Sequence, residues 1–505
     1  MEKDLRNDKV TKGLFLIIFL IYTWFITYGS WNIFKSERFG IAYDSLSQSL
    51  LNGECTVPLD TIEWEAFSVN GKTYMYFGPW PSFLRILLNY LFPSFYGNWS
   101  KFSCLLAAIL CLIAFTLIIR NQLLRNSFLS HEQRKFFFYL SLIGFGLGSP
   151  IVFLMSWGCI YYEAILWGLC WGIWGIFFLT GLLFDTKNHS IMLFGLSLSA
   201  GLALLSRVTF GIPFYLILIF ILLNILLKTV QNKTSNNYSH NAQLFNLNIK
   251  AKNIMQYIAK IFILISPAII ALGFQLWYNQ CRFGSVTSFS NYKFHNNYIK
   301  SWWSDEFKNE IEKDGPFNIR RVPFTATHYF GIRNEYFSKK APFFKMALIP
   351  KLNTKPSIIS EWSISLTISS LWLIWGGIFG LLWLFKIKET RFIWFCLYTF
   401  FIQVILVLSY MGVSHRYSAD FIPFLIFLYS IYLFKLGKQE HFHDFQTIKS
   451  ISTLICFISI SSTLLSTLDH LANGNDTLYP PISYKEKLHN YFNSVDAFVI
   501  SILKN

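Results

Sequence analysis

The chain has 505 residues, of which 53% are hydrophobic, 19% aromatic and only 14% charged. A soluble protein carries about 25% charged residues, whereas this chain repeats apolar runs of about 20 residues, the length that crosses a bilayer as a helix. The composition excludes an ordinary soluble domain and predicts an all-α, polytopic transmembrane protein. The net charge of +16 does not indicate nucleic-acid binding, because cytoplasmic loops of membrane proteins are normally basic.

Eleven apolar runs are predicted to span the membrane. The first follows a basic N-terminus, as in a signal peptide, but no small-residue cleavage site comes after it. We therefore interpret it as an uncleaved span. The predicted spans lie near residues 13–31, 102–119, 136–157, 161–184, 191–206, 209–227, 260–278, 363–385, 391–411, 417–435 and 449–467.

Positive charge in the short loops predicts the orientation of the spans. Lys and Arg cluster before the first span and after the second, which places both regions in the cytoplasm. Alternation then places segments 32–101 and 279–361 on the outer face of the cell (plasma or inner) membrane, with a polar cytoplasmic linker at 229–258. We expect one transmembrane domain over 1–435 and a last span with an outer tail over 436–505.

The first outer segment contains a predicted amphipathic helix over residues 41–52. Apolar side chains fall on one face, Asp44 falls on the other, and Gly53 follows as a stop signal. Such a helix would lie in the membrane interface and hold the Asp44 carboxylate at a fixed depth, pointing into a cleft above the membrane.

A second interfacial helix is predicted over residues 82–92, because two prolines break the chain just before it. Arg85 and Asn89 lie four residues apart on it and therefore share a face. Two interfacial helices joined by a polar loop would make a substrate platform. The candidate substrate-binding residues of this region are Lys72, Tyr74, Tyr76 and Arg85.

Glu163 lies at the outer start of the predicted fourth span, flanked by two tyrosines. An acidic residue in or near an apolar span is unfavourable and is usually functional. Glu163 is therefore a candidate catalytic residue. The alternative is an interfacial acid whose side chain reaches the water.

Three arginines are predicted to reach the same membrane face, each from a different outer turn. They are Arg207, Arg282 and Arg416, and Tyr417 follows the last of them. Guanidinium groups suit bidentate recognition of phosphate, so we predict an anion site. The alternative for Arg416 is a structural ion pair with Asp420, four residues further on.

The cysteines and histidines do not have metal-ligand spacing, so no metal site is predicted. Cys55 and Cys281 both fall in or beside predicted outer segments, and a disulfide between them is left open. Five other cysteines lie inside apolar runs and are predicted core residues: Cys104, Cys111, Cys170, Cys396 and Cys456. No phosphate loop, dinucleotide fingerprint or nucleophile elbow occurs.

Several motifs together resemble one family of membrane enzymes. They run in order as EAFSVNGKTYMYFGPWPSFL, GSPIVFL with YYEAILWG, GLALLSRVTFGIPF, YNQCRFGSVTSFSNY and HRYSADFIPF. This pattern resembles the GT-C glycosyltransferase superfamily and is similar to the protein O-mannosyltransferases and the lipid A aminoarabinose transferases. The likeness extends over about residues 43–423.

The resemblance implies a fold and a set of roles. Known members have many membrane helices and move a sugar from a polyprenyl-phosphate carrier to an acceptor on the outer face. An acidic residue early in the first outer loop serves as base or acceptor-binding group, and a second acid often lies in the next outer loop; Asp44 and Glu163 occupy those places. The mannosyltransferases have adjacent Asp-Glu, whereas Ser45 follows Asp44 here. Glu65 and Glu63 therefore remain alternatives for the base.

The predicted function is an inverting membrane glycosyltransferase, a hexosyl- or pentosyl-transferase of the cell envelope. Its predicted partners are a polyprenyl-phosphate-linked sugar donor, membrane lipids, and an acceptor that is a lipid, a glycan or a protein. A phosphate leaves readily, so the scheme requires neither a metal nor a cofactor. The alternatives are a polytopic transporter or lipid flippase and a non-catalytic envelope-assembly component.

Overall fold

The structure is a computed structural model that describes residues 8–184, 189–234, 254–288, 304–348, 357–386, 391–437, 445–474 and 480–504. Within these ranges the chain is overwhelmingly helical, which confirms the predicted all-α class. Ten of the described helices are long and apolar enough to cross a membrane, and Leu371–Leu384 is a shorter apolar helix at the predicted eighth span.

The first half of the chain contains the two short helices of the first outer segment between long helices. The helices are α1 (Lys9–Thr27), α2 (Ala42–Leu51), α3 (Leu59–Ile62), α4 (Trp80–Leu91), α5 (Ser100–Arg125), α6 (His131–Leu147), α7 (Ile151–Leu154), α8 (Ile160–Phe184), α9 (His189–Ser206), α10 (Val208–Thr234) and α11 (Ile254–Phe283). Strands β1 (Phe67–Val69) and β2 (Lys72–Tyr74) pair antiparallel between α3 and α4.

The second half begins with short outer helices and ends with long ones. The helices are α12 (Asp305–Asp314), α13 (Val322–Phe330), α14 (Leu366–Ser369), α15 (Leu371–Leu384), α16 (Arg391–Ser409), α17 (Ile422–Lys435), α18 (Phe445–Asn473) and α19 (Ile482–Lys504). A 3₁₀ helix, His415–Phe421, leads directly into α17, and β3 (Ile359–Ser360) pairs parallel with β4 (Gly412–Val413).

Both predicted helices of the first outer segment are present, at residues 42–51 and 80–91. Helix α4 starts with a proline in its first turn, a position where the missing N–H leaves no bond unmade. The predicted linker 229–258 has helical ends in α10 and α11, and its residues 235–253 lie outside the described residues. The proposed division at residue 435 stays a prediction.

Two large apolar cores, and a small one around Phe307, Ile311 and Met411, organise the described residues. The larger core joins the long helices and includes stacked rings such as Phe115 and Phe145, whose centroids lie 4.1 Å apart. The smaller core lies under the first outer segment, where Tyr43 and Leu46 of α2 pack in one cluster with Ile160 of α8. This second core fixes the outer segment onto the ends of the spans, and the candidate site lies beside it.

Candidate active site

A buried ionic cluster joins the first outer segment to helix α8. The Arg85 Nη2 atom donates a hydrogen bond of 2.7 Å to Oε1 of Glu163, and the Arg85 Nε atom lies 3.5 Å from Oδ2 of Asp44. All three side chains are fully buried. One guanidinium therefore lies between two carboxylates that come from different parts of the chain.

Helix α4 presents a second polar contact to Asp44. The Asn89 side-chain amide donates to Oδ1 of Asp44 at 2.9 Å, and the Trp99 indole N–H donates to Oδ1 of Asn89 at 2.8 Å. The predicted shared face of Arg85 and Asn89 is therefore confirmed, because both contact the same carboxylate.

The expected surface position of Asp44 is wrong. Its side chain is fully buried, because α2 turns its polar face towards α4 rather than towards a cleft. Burial raises the pKa of the Asp44 carboxyl, and the Arg85 guanidinium opposes that rise. The cluster joins α2, α4 and α8.

A separate cavity of about 130 Å³ lies beside the outer segment. It is bounded by the end of the outer segment, the start of α8, the α9–α10 turn, α11 and the 3₁₀ helix before α17. Its polar lining residues are Tyr76, Tyr161, Ser206, Arg207, Gln275, Arg282, Arg416 and Tyr417. The predicted convergence of three arginines is therefore present at this cavity.

The cavity wall is tightly joined where the outer segment meets the α9–α10 turn. A Cβ atom added at Gly78 would lie 2.2 Å from the carbonyl oxygen of Leu205 and 2.5 Å from that of Ser206. Only glycine permits this backbone contact. The contact places the outer segment next to Arg207, the residue between α9 and α10.

Arg207 is anchored on one side and open on the other. Its Nε atom donates to Oδ1 of Asp420 at 3.3 Å and to the Thr209 hydroxyl at 3.2 Å. Among the described residues, its Nη1 and Nη2 atoms have no hydrogen-bond acceptor, and the side chain is 26% exposed. Arg207 therefore keeps two donors for an anion in the cavity.

Arg416 is held in a similar way by a different acid. Its Nη2 atom donates to Oε1 of Glu361 at 2.7 Å, and its Nε and Nη1 atoms have no acceptor within the described part of the chain. The alternative in which Arg416 pairs with Asp420 is wrong, because Asp420 pairs with Arg207. The Tyr417 ring lies between the two guanidinium groups, 4.8 Å from that of Arg207 and 5.1 Å from that of Arg416.

Glu65 lies behind two of the tyrosines that line the cavity. The Tyr161 hydroxyl donates to its Oε1 at 2.6 Å and the Tyr76 hydroxyl donates to its Oε2 at 2.9 Å. Burial raises the pKa of the Glu65 carboxyl, while the hydrogen bonds from Tyr161 and Tyr76 lower it. Glu65 is thus a carboxylate connected by hydroxyl groups to the arginine-lined space.

Arg282 lines the cavity but its guanidinium is already occupied. It donates to the carbonyl oxygens of Met75, at 2.8 Å, and Tyr278, at 3.2 Å, and to Oδ1 of Asn279 at 3.0 Å. Every one of its three nitrogens has an acceptor, so an anion would have to displace one of them. The arrangement favours a role in holding the outer segment against α11.

Three predicted substrate-binding residues lie away from the cavity lining. Lys72 is exposed at the strand turn, and its Nζ atom lies 3.9 Å from Oε1 of Glu54. Tyr74 packs in the smaller apolar core. Arg85 is likewise absent from the lining, because both its neighbours are the buried carboxylates of Asp44 and Glu163.

Sequence reasoning missed Tyr161, Gln275 and Glu361 as site residues. Tyr161 carried one signal, because it is close to the candidate Glu163 in the sequence. It stands two residues before Glu163 and therefore lies on another face of the same helix. Gln275 and Glu361 carried none. Among the described residues, no group of three or more His, Cys, Asp or Glu side chains is placed to hold a metal ion.

The fold and the cavity define a multi-pass helical membrane protein with an arginine- and tyrosine-lined site at the ends of its spans. No protein-family model and no curated protein matches the chain. Similar solved structures exist. One is an oligosaccharyltransferase from Archaeoglobus fulgidus in the apo form, with 12% identity and a TM-score of 0.44 over 96% of this chain and 60% of that one.

Two further structures are similar at the same level. AglB from Archaeoglobus fulgidus, in complex with an inhibitory peptide and a dolichol-phosphate, has 12% identity and a TM-score of 0.44, covering 96% of this chain and 59% of that one. ArnT from Cupriavidus metallidurans, bound to undecaprenyl phosphate, has 12% identity and a TM-score of 0.42, covering 95% and 69%. The chain spans about 60% of the length of the archaeal structures. With TM-scores below 0.5, the likeness carries no functional conclusion.

Proposed function

We propose that this chain is an inverting membrane glycosyltransferase of the GT-C type that moves a sugar from a polyprenyl-phosphate carrier to an acceptor hydroxyl. One observation carries the proposal. Arg207 and Arg416 turn unfilled guanidinium donors towards a cavity whose tyrosines connect to the Glu65 carboxylate. Glycosyl transfer from a phosphate needs such a cation site and such a carboxylate within one enclosure.

The two arginines would receive the phosphate of the carrier. When the sugar–phosphate bond breaks, the phosphate oxygens gain negative charge, and donors fixed in advance at that position lower the barrier. Arg207 and Arg416 are fixed by Asp420 and Glu361 respectively, and both residues line the cavity with further guanidinium nitrogens that have no acceptor among the described residues. Guanidinium groups suit this task because they bind phosphate oxygens in pairs.

The lipid tail of the carrier would lie along α11. Gln275 on this helix lines the cavity, whereas the next two residues, Leu276 and Trp277, are 37% and 41% exposed. An apolar surface on a membrane helix faces lipid. Helix α11 therefore contributes both to the cavity lining and to the apolar surface that would face lipid, as a substrate with a polar head and a lipid tail requires.

We propose Glu65 as the base. The acceptor hydroxyl attacks the anomeric carbon, its proton passes to the Tyr161 oxygen, and the Tyr161 proton passes to Glu65. The phosphate leaves with the electron pair of the broken bond, so one displacement inverts the configuration. Asp44, the position that the family resemblance indicates for the base, is fully buried against Arg85 and would serve instead to fix α2 on α4.

The proposed location is the cell membrane, with the N-terminus in the cytoplasm and the cavity on the outer face. The charge distribution of the short loops supports this orientation. The acceptor would enter from the aqueous side, between the outer segments 32–101 and 279–361.

The test is a transfer assay in membranes that contain the chain, supplied with polyprenyl phosphates carrying labelled hexoses or pentoses. Wild-type membranes should release free polyprenyl phosphate and label an acceptor. Glu65→Gln should lower the rate by about 10²–10⁴-fold, as loss of a general base does. Glu63→Gln is the matched control, because that carboxylate is 41% exposed and pairs with Arg38.

Two outcomes would overturn the proposal. One is movement of the labelled carrier across the membrane without cleavage of the sugar–phosphate bond, which is the activity of a flippase. The other is release of polyprenyl phosphate at the wild-type rate by Glu65→Gln together with an inactive Asp44→Asn variant, which would return the role of base to Asp44.

A further inference from the structure

Two cysteines from distant parts of the chain meet beside the cavity. Cys55 follows α2 in the first outer segment, and Cys281 lies in the last turn of α11. Both pack in the smaller apolar core, where the two thiols are neighbours. Both are free thiols in this structure.

We propose that Cys55 and Cys281 are a modification site, at which an external disulfide oxidises the two thiols to one intramolecular disulfide. This inference does not depend on the proposed glycosyl transfer. It depends on the proximity of the two thiols in one apolar core and on the difference in their exposure. Cys55 is fully buried, whereas Cys281 is half-buried and can be reached from solvent.

The exposure difference sets the order of the two steps. The Cys281 thiolate attacks a sulfur of the external disulfide, forms a mixed disulfide and releases one thiolate of the oxidant. Cys55 then loses its proton and attacks the Cys281 sulfur, which releases the second thiolate. Two electrons pass to the oxidant and two protons leave, so the exchange balances. Burial raises the pKa of the Cys55 thiol, which makes it a poor first nucleophile.

The bond would fasten the wall of the cavity. Arg282, next to Cys281, donates to the carbonyl oxygen of Met75. On the other side, Val57, two residues after Cys55, donates its N–H to the carbonyl oxygen of Thr73. A disulfide would therefore add a covalent link between α11 and the segment that ends in Tyr76.

The experiment uses the purified full-length protein in detergent micelles, exposed to oxidised glutathione and then to an alkylating reagent. Peptide mass analysis should show the Cys55 and Cys281 peptides joined, and dithiothreitol should separate them. The thermal midpoint should rise on oxidation in the wild type and should not rise in Cys55→Ser.

The chain offers a matched control pair. Cys111 and Cys170 are also neighbours in one apolar core, but both are fully buried inside the spans α5 and α8. They should stay unlinked under the same treatment. In Cys55→Ser, glutathione should remain attached at Cys281.

Two results would overturn the inference. One is a wild-type protein in which Cys281 carries glutathione while Cys55 stays free, because the second step would then fail. The other is a protein in which both thiols remain free after exposure to the oxidant.

Discussion

The hydroxyl group of Tyr161 donates a hydrogen bond of 2.6 Å to Glu65, a residue 96 positions earlier in the chain. The same tyrosine ring lies 5.0 Å from the guanidinium group of Arg416. Tyr161 thus touches both halves of the proposed chemistry, the carboxylate that would accept a proton and the cation that would receive a phosphate.

Tyr161→Phe should remove the proposed path for the proton and change the pH dependence of transfer. The ionised form of Glu65 is the base, so the rate rises with pH through the pKa of Glu65. The Tyr161 hydrogen bond lowers that pKa. Without this bond, the pKa of the Glu65 carboxyl should rise, because the hydrogen bond favours the charged form.

The measurement is kcat against pH for the wild type and the variant. The expected result is a kcat about 10²-fold lower, with its rising limb shifted to higher pH. Tyr90→Phe is the control, because Tyr90 is 84% exposed. An unshifted limb would show that Tyr161 does not act on Glu65.

Arg207→Ala should weaken use of the donor by about 1.5–3 kcal/mol, the range for a hydrogen bond to a charged group. Arg207→Lys should restore only part, because an ammonium cannot make the planar two-point contact. The readout is kcat/KM for the polyprenyl-phosphate donor, and exposed Arg320→Ala is the control. If Arg207→Ala kept the wild-type kcat/KM for the donor, the role of Arg207 would be purely structural.

Arg85→Met should destabilise the fold. It leaves Asp44 and Glu163 buried without their shared cation, a change that costs about 3–5 kcal/mol. Thermal unfolding in detergent measures the effect. Lys72→Met is the control, because its contact with Glu54 is exposed and an exposed pair contributes about 0–1 kcal/mol. The triple variant Arg85→Met with Asp44→Asn and Glu163→Gln should recover stability. An equal loss of stability in the single and the triple variant would contradict the charge argument.

His328 should make the outer segment sensitive to acid. Its side chain is 1% exposed, and neither ring nitrogen has a hydrogen-bond partner among the described residues. Burial, assisted by Arg333, lowers the pKa of His328 from 6.5 to about 4. Below pH 6.5 the unfolded chain therefore binds a proton on this histidine that the folded chain does not bind. Stability falls as pH falls from about 6.5 towards 4.

Between pH 7.5 and pH 5 this histidine should remove about 2 kcal/mol of stability. His328→Phe keeps an aromatic ring against Phe324, whose centroid lies 4.6 Å away, and should remove that part of the acid sensitivity. Thermal unfolding at the two pH values measures it, with exposed His489→Phe as the control. Equal loss of stability in wild type and His328→Phe would contradict the prediction.

The proposed orientation has its own test on intact cells. In a background with Cys281→Ser, single cysteines at Ser68 and at Ser304 should react with an impermeant thiol reagent, because both positions are exposed and lie outside in the proposed orientation. A cysteine at Ser127, exposed in the loop after α5, should react only after the membrane is opened. The reverse pattern would place the cavity in the cytoplasm.

The sequence predicted the long helices well, because about 20 apolar residues have few other solutions in a membrane protein. It also predicted α2, α4 and the convergence of Arg207, Arg282 and Arg416 on one cavity. Each of these follows from local periodicity or from loop alternation along the chain. Neither kind of inference needs to know which helices are neighbours.

The surroundings of Asp44 and Arg282 were not predictable in this way. An amphipathic pattern shows which residues share a face, but not whether that face meets water or another polar surface. The polar face of α2 meets Arg85 and Asn89, so Asp44 is buried. The Arg282 guanidinium donates to backbone carbonyl oxygens, including that of Met75, which lies more than 200 residues earlier. Such pairings are set by tertiary structure alone.

The walls of the cavity come from widely separated stretches, beginning at Tyr76 and ending at Tyr417. The ribosome adds about 5–20 residues per second, so tens of seconds separate the synthesis of the two tyrosines. During that time the nascent chain already has Tyr76 and Glu65 but neither Arg416 nor the Asp420 that holds Arg207. The newly made chain therefore has no complete anion site until Arg416 and Asp420 have been synthesised.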